Sequence, residues 1–102
     1  MVIEKSEVEV AAGKEEEFLR YLESTRKTVE GLDGCRSYTF GRGVENPSKF
    51  ILLLTWDSVE AHENATRQPH FAEMEPHFAK YVIGGAMEHF TVAEGATSIR
   101  RT

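Results

Sequence analysis

The sequence predicts an α+β fold: a four-stranded antiparallel sheet with its helices on one face. Three features predict it. Residues 2–10 alternate in polarity, residues 14–31 switch to a helical period, and residues 49–56 form an apolar run that ends at the only tryptophan, Trp56. A helix-start signal follows that tryptophan at once.

In the first segment Val2, Glu4, Ser6, Val8 and Val10 alternate with Ile3, Lys5, Glu7 and Glu9. The first set is the more apolar, which reads as a half-buried strand. Ala12-Gly13 breaks it. Phe18, Leu22, Val29 and Leu32, with Thr25 between them, then fall on one helical stripe. Glu15, Glu16 and Glu17 lie in the first turns of this helix, where its dipole favours them, and Arg26 and Lys27 lie nearer its end. Gly31-Leu32-Asp33-Gly34 is a helix stop and a turn.

Cys35 to Gly43 reads as a strand with Tyr38 and Phe40 on one face, and Glu45-Asn46-Pro47-Ser48 as a hairpin turn. Residues 49–56 are apolar on both parities, as in a strand covered on both faces. Asp57-Ser58-Val59-Glu60 has the form of a capping box, with Asp57 as N-cap and Glu60 at the third helical position. That short helix runs to about Arg67, and Gln68-Pro69 restarts it. Phe71, Met74, Phe78 and Tyr81 form a second stripe, and Gly84-Gly85 is expected to end the helix. Ala86 to Ala93 is the last strand, with Phe90 and Val92 opposite Met87, His89 and Thr91.

The order β-α-β-β-α-β, with a broken second helix, is the ferredoxin-like arrangement. It assigns residues 1–93 to one domain and residues 94–102 to a tail or swapped arm. Helices on one face leave the other face needing cover, and the third strand is apolar on both. A second copy of the same sheet is the simplest cover, so a symmetric homodimer is expected.

Composition narrows the function. The net charge of −5 repels phosphate backbones, so nucleic acid is not an expected partner. The single cysteine, Cys35, has no internal partner for a disulfide and fits a reducing compartment. The chain opens with acidic residues rather than an apolar leader and has no run approaching the ~20 apolar residues of a membrane span, so a cytoplasmic location is expected. Gly-x-Ser-x-Gly, GxGxxG and P-loop signatures are absent, which argues against nucleotide cofactors.

The Gly31-Leu32-Asp33-Gly34-Cys35 turn, the run Leu54-Thr55-Trp56-Asp57-Ser58-Val59-Glu60-Ala61-His62, and Gln68-Pro69-His70-Phe71 together resemble the antibiotic biosynthesis monooxygenase domain. This is a branch of the dimeric α+β barrel superfamily, and the resemblance covers residues 1–93. It implies a dimeric α+β barrel. Members include oxygenases that convert polycyclic phenols to quinones without metal or flavin, quinol monooxygenases, haem-degrading proteins and a processor of a phosphorylated sugar. In the polyketide-oxidising branch the strand tryptophan lies beside the substrate, and Trp56 matches it. That branch has an asparagine four residues earlier and a tyrosine six residues later; here those places hold Leu52 and His62. The haem-degrading pattern needs a first-strand asparagine, where this chain has Lys5, Glu7 and Glu9, and only His77 falls near its ligand position. The resemblance therefore implies no cofactor and an aromatic, phenolic or quinol-type small molecule as ligand.

The candidate catalytic residues are His70 and His62, because imidazole exchanges protons near neutral pH and cofactor-free oxygenation needs a deprotonated substrate. The candidate substrate-binding residues are Trp56, Phe71, Met74, Phe78 and His89. Each has a structural alternative: Trp56 and the aromatic stripe as core, the histidines as surface or packing residues. No metal site is expected, since neither Glu-x-x-His nor His-x-x-x-His occurs. Two other functions fit the same fold. One is a non-catalytic ligand-binding dimer. The other is an isomerase or lyase acting on a phosphorylated or carbonyl compound, which requires cations such as Lys5, Arg36 or Arg42 in the pocket.

Overall fold

A computed structural model describes residues 1–93 and 95. The tail expected over residues 94–102 lies, Gly95 apart, outside them. The elements are β1 (Val2–Val10), α1 (Glu15–Glu30), β2 (Cys35–Arg42), β3 (Lys49–Trp56), α2 (Val59–Ala65), α3 (Pro69–Tyr81) and β4 (Val82–Thr91). The sheet order is β2-β3-β1-β4, and every neighbouring pair is antiparallel. The architecture is the α+β ferredoxin-like one that the sequence predicts. No described helix is long and apolar enough to cross a membrane.

Register decides which side chains meet the helices. Val2 pairs with Trp56, Glu4 with Leu54, Ser6 with Leu52 and Val8 with Phe50. Side chains alternate across a strand, so these eight share one face. On β3 that face is Phe50, Leu52, Leu54 and Trp56, all buried, while Ile51, Leu53 and Thr55 on the other face are half-buried. The chain thus covers one side of β3 fully and leaves the other partly open. The stripe of α1 closes the inner face with Phe18, Leu22, Thr25 and Val29. Phe18 meets Phe50 edge-on at 5.0 Å and Phe78 of α3 at 5.5 Å, a favoured geometry for aromatic pairs.

Two boundaries differ from the sequence reading. The N-cap of α2 is Ser58, whose hydroxyl accepts the Ala61 N–H at 3.0 Å. Asp57 turns instead to the Arg36 guanidinium. Helix α3 ends at Tyr81, and Gly84-Gly85 lies inside β4 rather than stopping the helix. The cause is a close approach of backbones: a Cβ on Gly85 would sit 2.5 Å from the Glu7 carbonyl oxygen. Gly85 lets β4 lie tightly along β1, so β4 starts earlier than expected.

Candidate functional site

The site forms where α2 crosses the ends of β1, β3 and β4. Glu4 of β1 stands beside Leu54 on one neighbour and His89 on the other. Trp56 ends β3. The chain then turns into α2 under tight constraint. The Asp57 N–H donates to the Gly34 carbonyl at 2.9 Å, and Gly34 has φ +82°, a conformation glycine adopts without penalty. Gly34 also packs against Ala61, whose Cβ would lie 2.7 Å from an added Cβ. Held there, α2 lowers His62 onto Trp56, the two rings stacking at 4.9 Å and 16°.

These residues form one hydrogen-bonded group. Oε1 of Glu4 accepts the Trp56 indole N–H at 2.9 Å and lies 3.1 Å from His62 Nε2. Oε2 accepts the Ser6 hydroxyl at 3.0 Å. His62 Nδ1 lies 2.7 Å from Nε2 of His89. Both nitrogens of the His62 ring are therefore engaged. With Nε2–H donated to the carboxylate, Nδ1 is the acceptor for His89 Nε2–H. His62 is only 7% exposed. Burial holds its pKa below the ordinary 6.5; Glu4 opposes this shift and His89 adds to it.

The group borders a cavity of about 430 Å³ between the sheet and the helices, a size that suits a small organic ligand. Val29, Leu32, Leu52, Leu54, Met74 and Phe78 supply apolar wall. A second polar point is Tyr38, whose hydroxyl lies 3.3 Å from Thr25 Oγ1. Thr25 gives its proton to the Leu22 carbonyl at 2.7 Å, so Tyr38 is the donor. Burial pushes the Tyr38 phenol above its usual pKa. Met87 and Glu75 line the cavity where it opens to solvent.

Of the residues singled out by sequence, Trp56, His62, Phe71, Met74 and Phe78 line this cavity. His89 stands behind His62 and touches it rather than the cavity. His70 does not line it: it lies exposed on the first turn of α3, with Nδ1 3.9 Å from Glu73. His77 stacks on Tyr21 at 5.3 Å. The candidate cations also lie elsewhere. Lys5 pairs with Glu7, Arg36 with Asp57 and Arg42 with Glu16. Cys35 is a packing residue whose thiol pKa is raised by burial. Among the described residues, no three His, Cys, Asp or Glu side chains gather to hold a metal ion.

The residue that sequence reasoning passed over is Glu4. Its signal was present: an acidic side chain at a buried parity of an alternating strand. Such a charge is retained only where donors meet it, and here Trp56, His62 and Ser6 do.

The fold and its cavity define a ferredoxin-like α+β domain with a mostly apolar hollow between the sheet and a broken helix. A family model for antibiotic biosynthesis monooxygenase matches residues 1–76, and the chain belongs to that family. No curated protein matches the chain. Solved structures similar to it include a Bordetella bronchiseptica protein carrying this family's name, at 19% identity and TM-score 0.83, over 90% of this chain and 96% of that one. A Deinococcus radiodurans protein carrying the same name is 16% identical with TM-score 0.81, over 100% and 99% of the two chains. A conserved protein from Methanosarcina mazei Go1 is 20% identical with TM-score 0.78, over 87% and 89%. At these identities the likeness is one of fold.

Proposed function

We propose that the protein is a cofactor-independent monooxygenase for an aromatic, phenolic or quinol-type small molecule, working as a homodimer. Family membership supports the reaction class. The observation that carries the reading is the Glu4–His62–Trp56 group set into a mostly apolar cavity. Phe71, Met74 and Phe78 clasp a flat ligand, and its acidic proton faces Glu4. The Glu4–His62 pair takes that proton and leaves an electron-rich anion. Oxygen adds at carbon, the peroxide regains the proton, and loss of water leaves a carbonyl. The balance is CH2 plus O2 giving C=O plus H2O. His89 steadies His62 from behind, and the exposed His70 takes no part.

Oxygen uptake with anthrones and hydroquinones tests this reading. Wild type should consume oxygen, and Glu4→Gln and His62→Gln should each slow it by about 100-fold or more, the usual scale for a general base. Turnover of both variants at the wild-type rate overturns the assignment. A second reading, a non-catalytic binding dimer, draws on one observation: His62 presents no free ring nitrogen to the cavity. Ligand binding without oxygen uptake on any of these substrates favours it.

A further inference from the structure

Among the described residues, the cavity wall carries two carboxylates and neither lysine nor arginine. Glu4 lies at its floor, only 12% exposed, and Glu75 at its open side. Three cations on the surrounding elements have other partners, and Arg26 of α1, whose charge reaches the Tyr38 phenol, lies over the Phe40 ring at 5.4 Å rather than in the cavity wall. Lys5 lies on the opposite face of the sheet, 3.7 Å from Glu7. Arg36 is paired with Asp57. Arg42 holds Glu16 at 2.7 Å and lies over the Phe50 ring. An anionic ligand would meet Glu4 without a counter-ion, in a water-poor site where like charges repel strongly.

The lone pairs of Glu4 narrow the ligand further. A carboxylate has about four acceptor positions. Trp56, His62 and Ser6 occupy three of them. What remains is room for one more donor, and nothing there can donate to a ligand that only accepts.

We propose that this cavity selects by charge and by hydrogen: it takes a neutral aromatic that donates a hydroxyl, and rejects carboxylated, sulfonated or phosphorylated relatives. Glu4 is the specificity-determining residue, and Glu75 adds to the rejection at the mouth. The inference rests on the reading of this cavity as the ligand site, but not on turnover. It also disfavours phosphorylated substrates for this chain, whose cavity wall carries no lysine or arginine to meet them.

Isothermal titration calorimetry on the full chain tests it with 2-naphthol, 6-hydroxy-2-naphthoate and 2-methoxynaphthalene. We expect 2-naphthol to bind at least about tenfold tighter than either relative. Glu4→Gln should bring the naphthol and naphthoate affinities within about threefold of each other, and Glu75→Gln, an exposed change that leaves the core alone, should narrow the gap in part. Naphthoate binding as tightly as naphthol to wild type overturns the charge selection. Equal binding of naphthol and its methyl ether overturns the donor requirement. No binding by any of the three overturns the cavity reading itself, and the inference with it. Oxygen uptake is not part of this readout, so a catalytically silent protein that still discriminates leaves the selection standing.

Discussion

At the scale of single residues, His62 gives the chain a defined response to acid. Its folded pKa lies below the ordinary 6.5, chiefly because it is buried. A group depressed in the fold stabilises above its unfolded pKa, and that contribution is lost as pH falls through the folded value. Thermal stability should therefore hold above pH 6.5 and decline below it. His62→Gln should flatten the first part of that decline in melting scans from pH 7 to pH 5. Glu15 acts in a separate window. Its pKa is lowered below 4.5, mainly by the Ser48 hydroxyl, so its effect is confined to pH below about 4.5. Trp56→Phe tests the other side of the cluster. The ring area is largely kept, but Glu4 loses the indole donor. Oε1 keeps His62 but loses a hydrogen bond to a charged group, worth about 1.5–3 kcal/mol, which urea unfolding will read. Trp56, His62 and the Phe71–Met74–Phe78 stripe could be picked out from the sequence because aromatic and imidazole side chains cluster around one strand-to-helix corner. For Glu4 only the buried parity was legible; its role was not, because its partners are distant along the chain and Trp56 lies 52 positions away.

At the scale of elements, the position of α2 depends on two small features before it. Gly34 has a positive φ and no room for a Cβ beside Ala61. Gly34→Ala should cost more than about 1 kcal/mol and push α2, with His62, off the Trp56 ring. Chemical unfolding reads the first effect, and the fluorescence of the only tryptophan reads the second. Unchanged stability and emission would refute this account of the corner. Such features explain which boundaries could be seen in advance. The stripe of α1 and the alternation of β1 follow from periodicity, and both appear where expected. The start of β4 does not, since Gly84-Gly85 is locally a helix stop. Only the tertiary approach of Gly85 to the β1 backbone makes it strand. Likewise Asp57 and Ser58 are both good N-caps in isolation, and Arg36, 21 positions away, is what draws Asp57 aside.

At the scale of the whole molecule, assembly turns on the outer face of the sheet. Cross-strand pairing puts Ile3, Ile51, Leu53 and Phe90 there, together with Lys5, Glu7 and Glu88. Phe90 is 45% exposed, while Ile3, Ile51 and Leu53 are half-buried by their neighbours alone. An apolar strip with charges interspersed resembles the make-up of protein interfaces, where an apolar centre sits within a polar surround. A homodimer packed through this face would bury Phe90 and complete the cover that β3 lacks. The expected outcome is a dimer by light scattering across the micromolar range, and a monomer after Leu53→Asp combined with Phe90→Asp. Both side chains point away from Glu4, so the monomeric variant should keep its preference for a neutral hydroxyaromatic even if it binds more weakly. A wild-type chain that scatters as a single subunit at every concentration would remove the dimer from the proposal. It would leave the outer strip as ordinary exposed surface, and the cavity as a property of one subunit alone.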